Sequence, residues 1–154
     1  MGDASYYTIK SKARVARVVT WRVALGEDGD LDEAEQLARE AAVDGLKFDE
    51  KAVSGDYDAY FRGIWAAALL LHKDAGSVAF AERLLRETIE ARRGHELVPW
   101  CDGYLELVLA EQLRAQGRAD DAEKAMGRAA EILDQLRDPR HPMVATLRDL
   151  EGKR

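Results

Sequence analysis

Asparagine is absent from this chain of 154 residues, cysteine occurs once and proline three times. A lone Cys101 has no internal disulfide partner, so a reducing cytoplasm is the expected setting. All three prolines lie after residue 98, so nothing in the first two thirds obliges a helix to break. Long apolar runs are also missing. The longest, Ile64 to Leu71, has eight residues, against the ~20 that span a bilayer. Arg14, Arg17 and Arg22 interrupt the valines near the N-terminus, which excludes a secretory apolar core. Tyr6 stands where N-myristoylation requires Ser or Thr. Glycine-rich phosphate loops, dinucleotide fingerprints, the HExxH helix and the nucleophile elbow do not occur, and no motif asks for a metal or cofactor. A net charge of −6 argues against nucleic acid as the main partner.

What is present is helical. Hydrophobic residues make up 47%, enough to exclude a disordered chain. Charged residues make up 34%, above the ~25% of ordinary domains, which favours a thin fold with much solvated surface. Apolar/polar alternation is nowhere sustained, whereas apolar residues recur at helical spacing throughout. The pattern predicts a single all-α domain of seven helices, near 5–26, 31–46, 56–75, 77–93, 99–116, 119–136 and 141–151. Breaks are expected at Gly29, Gly45, Gly55, Gly76, Gly94, Gly117 and Pro139. Connections this short imply antiparallel hairpins, about 5–46, 56–93 and 99–136, with 141–151 as a cap.

The hairpins repeat a signature: a glycine followed five residues later by alanine, at Gly29 and Ala34, Gly76 and Ala81, and Gly117 and Ala122. Glycine can end a helix in the left-handed conformation, and alanine lets a following helix approach closely. Each alanine opens an apolar stripe, through Leu37 and Ala41, Leu84 and Leu85, and Met126 and Ala129. Offsets of 47 and 41 residues fall in the range of solenoid repeats.

Leu109 to Gly117 with Ala122, Met126 and Ala129 resembles a tetratricopeptide repeat. Leu109 matches the family leucine, Ala110 its small residue, Leu113 its tyrosine, Ala122 its alanine and Met126 its phenylalanine. His141 to Leu147 looks like the start of a further repeat of the longer, kinesin-light-chain-like variety. In the middle pair Trp65 matches the family tryptophan, with Leu69 in the small slot and His72 in the tyrosine slot. In the first pair Trp21 takes the leucine slot and Arg22 the small slot, so either the register slips there or the hairpin packs loosely.

The resemblance implies a right-handed superhelical stack of three hairpins, whose first helices line a concave face. Half a turn from the buried stripe, that face comprises Ala16, Val19 and Val23; Gly63, Ala66, Leu70 and Lys73; and Tyr104, Leu107, Glu111 and Arg114. So apolar a surface suits either internal or dimer packing or a groove for an apolar or amphipathic peptide. Relatives that hold chaperone tails use Asn and Lys here; with no asparagine, that clamp is absent. The function implied is non-catalytic protein–protein interaction, as a scaffold or adaptor, with homodimerisation as the nearest variant.

Two alternatives stand beside it. Lys10, Arg14 and Arg17 share a helical face in a stretch without acids, which keeps open a sensor domain attached to a DNA-binding regulator. The competing reading is a solvated face balanced by the acidic turn Glu27 to Glu35. The second alternative is a small helical enzyme using groove carboxylates, with Glu111 the foremost candidate. The acidic turn is not a calcium loop, because counting from Asp28 puts Glu33 where an EF-hand needs glycine. Asp30 or Asp32 is expected to cap the next helix instead. His72 is expected to be a packed side chain and Cys101 a semi-buried structural thiol. The absence of Asn and the excess of Arg over Lys point to a GC-rich genome, hence a bacterium.

Overall fold

The computed structural model describes residues 5–48, 55–136 and 142–152, apart from the side chains of residues 47, 48, 142, 143, 146, 150 and 151. Among these residues there are seven helices and no strand. They are α1 (Tyr6–Ala24), α2 (Leu31–Phe48), α3 (Asp56–Leu71), α4 (Ala75–Arg92), α5 (Pro99–Ala115), α6 (Ala119–Leu133) and α7 (Pro142–Glu151). None is long and apolar enough to cross a membrane. The chain forms two compact units, Met1–Thr88 and Ile89–Arg154, with the boundary inside α4.

In the first unit α1 and α2 pack together and α3 lies against both. The buried line of α1 is Ile9, Ala13, Ala16 and Thr20; that of α2 is Ala34, Ala38, Ala41 and Ala42, with Leu37 only half-buried. These steps of three and four residues place each set on one helical stripe. The register expected from the repeat is therefore displaced in α1. Trp21 is 64% exposed and Arg22 turns to Glu27, Nε to Oε2 at 2.9 Å. A bulky indole and a charged guanidinium cannot occupy a close helix crossing, whereas Ala13 and Ala16 can. Ala16, expected on the open face, is buried. Gly45 does not break α2 but sits inside it. A Cβ there would stand 3.2 Å from the Phe61 ring, so the missing side chain makes room for Phe61 of α3. The Trp65 and Phe80 rings meet edge-on with centroids 5.2 Å apart, joining α3 to α4.

In the second unit α5 pairs with α6, and α7 rests on both. Pro99 opens α5 at a first-turn position where its missing N–H costs nothing. Leu105, Leu109, Ala110 and Leu113 are buried, as are Met126, Ala129 and Leu133 on α6. Gly103 lets α5 come close to α6: a Cβ there would fall 2.5 Å from Leu133 Cδ2. On α7, Leu147 is buried and Val144 half-buried, while Arg148 and Asp149 face water. The side chains of Leu150 and Glu151 lie outside those described, and the break expected at Pro139 lies outside the described residues.

The turns refine the repeat. Left-handed residues follow α1, α3 and α5 at Gly26 (φ 81°), Lys73 (φ 59°) and Gly117 (φ 73°). Gly29 and Gly76, expected to fill this role, do not. After α1 the amides of Gly26 and Glu27 bond the carbonyls of Val23 and Arg22; after α5 those of Gly117 and Arg118 bond Arg114 and Leu113. Both are the paired closure that satisfies a helix's last carbonyls. Asp30 and Asp74 then cap the next helices, accepting the Glu33 and Ser77 amides at 2.9 Å. The repeat alanines Ala34, Ala81 and Ala122 are all buried, the first two eight residues after the left-handed residue and the third five. The spacing from left-handed residue to buried alanine is thus three residues shorter in the third hairpin.

Candidate interaction faces

The face expected to bind a partner divides between the two units. In the first, Val19 and Val23 are half-buried over the α1–α2 connection, where a Cβ on Gly29 would stand 3.2 Å and 2.8 Å from their methyls. Gly63 and Ala66 are buried in α3. Leu70 is half-buried, and Lys73, just beyond α3, is exposed. In the second unit Leu107 is buried, Tyr104 half-buried and Glu111 exposed. Arg114 Nη1 bonds Glu111 Oε1 at 3.0 Å, so the foremost candidate for carboxylate chemistry sits in a surface ion pair. Gly63, Ala66 and Leu107 therefore support the packing, while Val19, Val23, Leu70, Lys73, Tyr104, Glu111 and Arg114 retain accessible surface.

The basic stripe of α1 is largely engaged within the fold. Lys10 Nζ lies between the rings of Tyr6 and Tyr57, 4.6 Å and 4.2 Å from their centroids, and donates to the Tyr57 hydroxyl at 3.1 Å. Bonds to the Tyr6 and Tyr57 hydroxyls hold the ammonium above its ordinary pKa. The same Lys10 bond draws the Tyr57 phenol below its own, because the ammonium favours the phenolate. Arg17 Nη1 donates to Tyr60 Oη at 2.7 Å, and Lys12 meets Glu40 of α2 at 2.6 Å. Arg14, the third member of the proposed stripe, is exposed. Tyr57 and Tyr60 went unrecognised as its partners in the sequence; the only signal was their spacing of three on the first turns of α3.

Another cluster joins α2 to the end of α3. His72 Nε2 lies 3.2 Å from Glu35 Oε2 and Nδ1 3.9 Å from Asp32 Oδ1. Trp65 Nε1 donates to the other Glu35 oxygen at 3.5 Å. One carboxylate thereby accepts from an indole and lies beside an imidazole, and His72 is half-buried, as a packed histidine should be. Among the described residues no group of three or more His, Cys, Asp and Glu side chains is arranged to hold a metal ion. Cys101 is buried on α5.

The opposite side of α1 escaped the sequence reading. Tyr7, Val18, Trp21 and Leu25 stand out into solvent there, with Val15 at the edge. Comparison of the chain with protein-family models, curated proteins and solved structures finds no match.

Proposed function

We propose that this chain is a non-catalytic protein-interaction module, a scaffold or adaptor that holds a peptide segment or partner protein on the first helices of its hairpins. The observation that carries this reading is the recurrence of one building unit. The helices α1, α3 and α5 each end beside a left-handed residue, and the next helix in each case buries an alanine, Ala34, Ala81 or Ala122. Units of this kind cannot bury their apolar faces alone, and repeating them generates extended surface suited to partners. The reading places the three hairpins in a right-handed tetratricopeptide-like stack closed by α7. Leu70 and Tyr104 supply apolar contact on the proposed face, and Lys73, Glu111 and Arg114 supply polar rim.

The regulator alternative draws less support, since Lys10 and Arg17 are bonded to tyrosines of α3.

The test is affinity capture on the wild-type chain and on Leu70→Glu, at low and high salt, with bound species identified by mass spectrometry and a nucleic-acid assay. One protein retained at high salt by the wild type and lost from Leu70→Glu supports the reading. Nucleic acid captured at low salt and released at high salt would favour the regulator instead. A solution mass that rises with concentration in the wild type and not in Leu70→Glu would identify the partner as a second copy.

A further inference from the structure

The outer side of α1 carries an unpartnered face with a definite chemistry. Taking Tyr7 as origin, Val18, Trp21 and Leu25 follow at 11, 14 and 18 residues, which at about 100° per residue keeps all four within roughly 40° of one line. Tyr7 is 79% exposed, Trp21 64% and Leu25 60%. The stripe from Tyr7 to Leu25 runs about 27 Å along the helix, at 1.5 Å per residue. Arg14 falls on the same line, one turn before Val18 and two before Trp21. It is exposed, and no described carboxylate pairs with it. Arg22 flanks the stripe and is already bonded to Glu27.

We propose that this outer face of α1 docks an amphipathic helix of a partner protein, whose apolar stripe is interrupted by an Asp or Glu set against Arg14. An aromatic pair with a central arginine is the composition of interface hot spots. Length and straightness match a helix laid alongside. Charge selects the occupant. From Tyr6 to Ala24 the helix contains Lys10, Lys12, Arg14, Arg17 and Arg22 and no acid, on a chain of net charge −6. Any occupant that covers Arg14 without a carboxylate leaves a desolvated guanidinium unpaired, a severe penalty. A second copy using the same face brings only more arginine. A lipid surface would sink Arg14 among acyl chains in the middle of the inserted stripe. Nucleic acid has no use for Val18, Trp21 and Leu25. This surface is distinct from the one assigned under the proposed function, and the two can fail separately.

The experiment selects helices from a displayed library of amphipathic 21-residue peptides on the immobilised full chain. The library has apolar residues at heptad a and d positions, except one central position randomised among Leu, Glu, Asp, Lys and Gln. Enriched helices are expected to carry Glu or Asp at that position. Their affinity is expected to fall at least tenfold for Arg14→Glu and for Trp21→Ala and to stay unchanged for Leu70→Glu. Replacing the selected acid with Lys should restore binding to Arg14→Glu. Both altered side chains are exposed, so circular dichroism and melting should match the wild type, and the charge exchange tests recognition apart from folding. The proposal is overturned if no helix discriminates the wild type from Trp21→Ala, if enriched helices lack the acid, or if Arg14→Glu binds them equally. It is likewise overturned if Trp21→Ala abolishes self-association in sedimentation, or binding to phosphatidylserine vesicles, that the wild type displays.

Discussion

Arg92 and Asp102 join the end of α4 to the start of α5 through two parallel bonds, Nε to Oδ1 at 2.6 Å and Nη2 to Oδ2 at 2.9 Å. Asp102 Oδ2 also accepts the Val98 amide at 2.7 Å, and Arg92 reaches the Glu96 carbonyl at 3.3 Å. The pair therefore closes the connection between the two helices and ties down the first turn of α5. Both side chains are nearly buried, so removing one charge strands the other. Asp102→Asn is expected to lower unfolding free energy by roughly 3 kcal/mol. Arg92→Lys should recover little of the Arg92→Met loss, because an ammonium cannot reproduce the two-bond geometry. Denaturant titration at neutral pH measures both, and a loss below about 0.5 kcal/mol for Asp102→Asn would place the pair among inconsequential surface bridges.

Gly103 is the second point of sensitivity. An alanine inside a helix ordinarily gains about 1 kcal/mol over glycine. Here its methyl would strike Leu133 Cδ2 and Cγ at 2.5 Å and 2.6 Å. Gly103→Ala is therefore expected to destabilise by about 1–3 kcal/mol. Leu133→Ala alone should cost about 2–5 kcal/mol. The double variant should lose less than the sum of the two, since the methyl then has room, and a strictly additive result would refute the contact.

Lys73 adopts a left-handed conformation that suits glycine better. Lys73→Gly is expected to stabilise the chain by about 1 kcal/mol, measured as a higher denaturant midpoint with unchanged slope. Because Lys73 also belongs to the proposed binding face, the variant separates two roles. Stability rises through the backbone while any contribution of the ammonium to partner affinity is lost.

Acid should weaken the α1–α2 contact. Lys12 chiefly, and then Gln36, bonds the Glu40 carboxylate and lowers its pKa below the ordinary value. A depressed carboxylate stabilises the fold above its unfolded-state pKa, and that contribution is lost as pH falls through the folded-state value. For a pair this exposed the expected size is about 0.5 kcal/mol. The stability gap between wild type and Glu40→Gln should be present at pH 7 and shrink progressively once pH falls below the ordinary glutamate value of about 4.3. A gap that persists at low pH would point to packing rather than charge.

The all-helical class and the order of seven helices were legible because apolar spacing and terminal punctuation agree along the chain. Side-chain size misled in α1. Trp21 invited a core assignment, but the contact between helices is set by how closely backbones approach. Ala13 and Ala16 therefore lie inside and the indole outside. The turns misled for a related reason. Gly29 and Gly76 stand at matching distances from Ala34 and Ala81, yet Gly26 and Lys73 reverse the chain. For Lys73 the composition carries no signal, since lysine has no preference for the left-handed region. Four constituents of the expected binding face, Ala16, Gly63, Ala66 and Leu107, proved too deeply packed to meet a partner. The tyrosine anchors of Lys10 and Arg17 lie more than forty residues away in the chain, beyond the reach of local pattern.

The alanines buried between α1, α2 and α3 constrain how this sequence can drift. A leucine core can shrink by a methyl group, leaving a gap that its neighbours partly fill. A seam of Ala13, Ala16, Ala34, Ala38 and Ala41 has almost nothing left to remove. Enlarging any one of these residues wedges two backbones apart over several turns. Such positions exchange only in pairs, with a gain on one helix matched by a loss on the other. Descendants of this chain should therefore vary freely on the outer sides of these helices while the seam between them stays fixed.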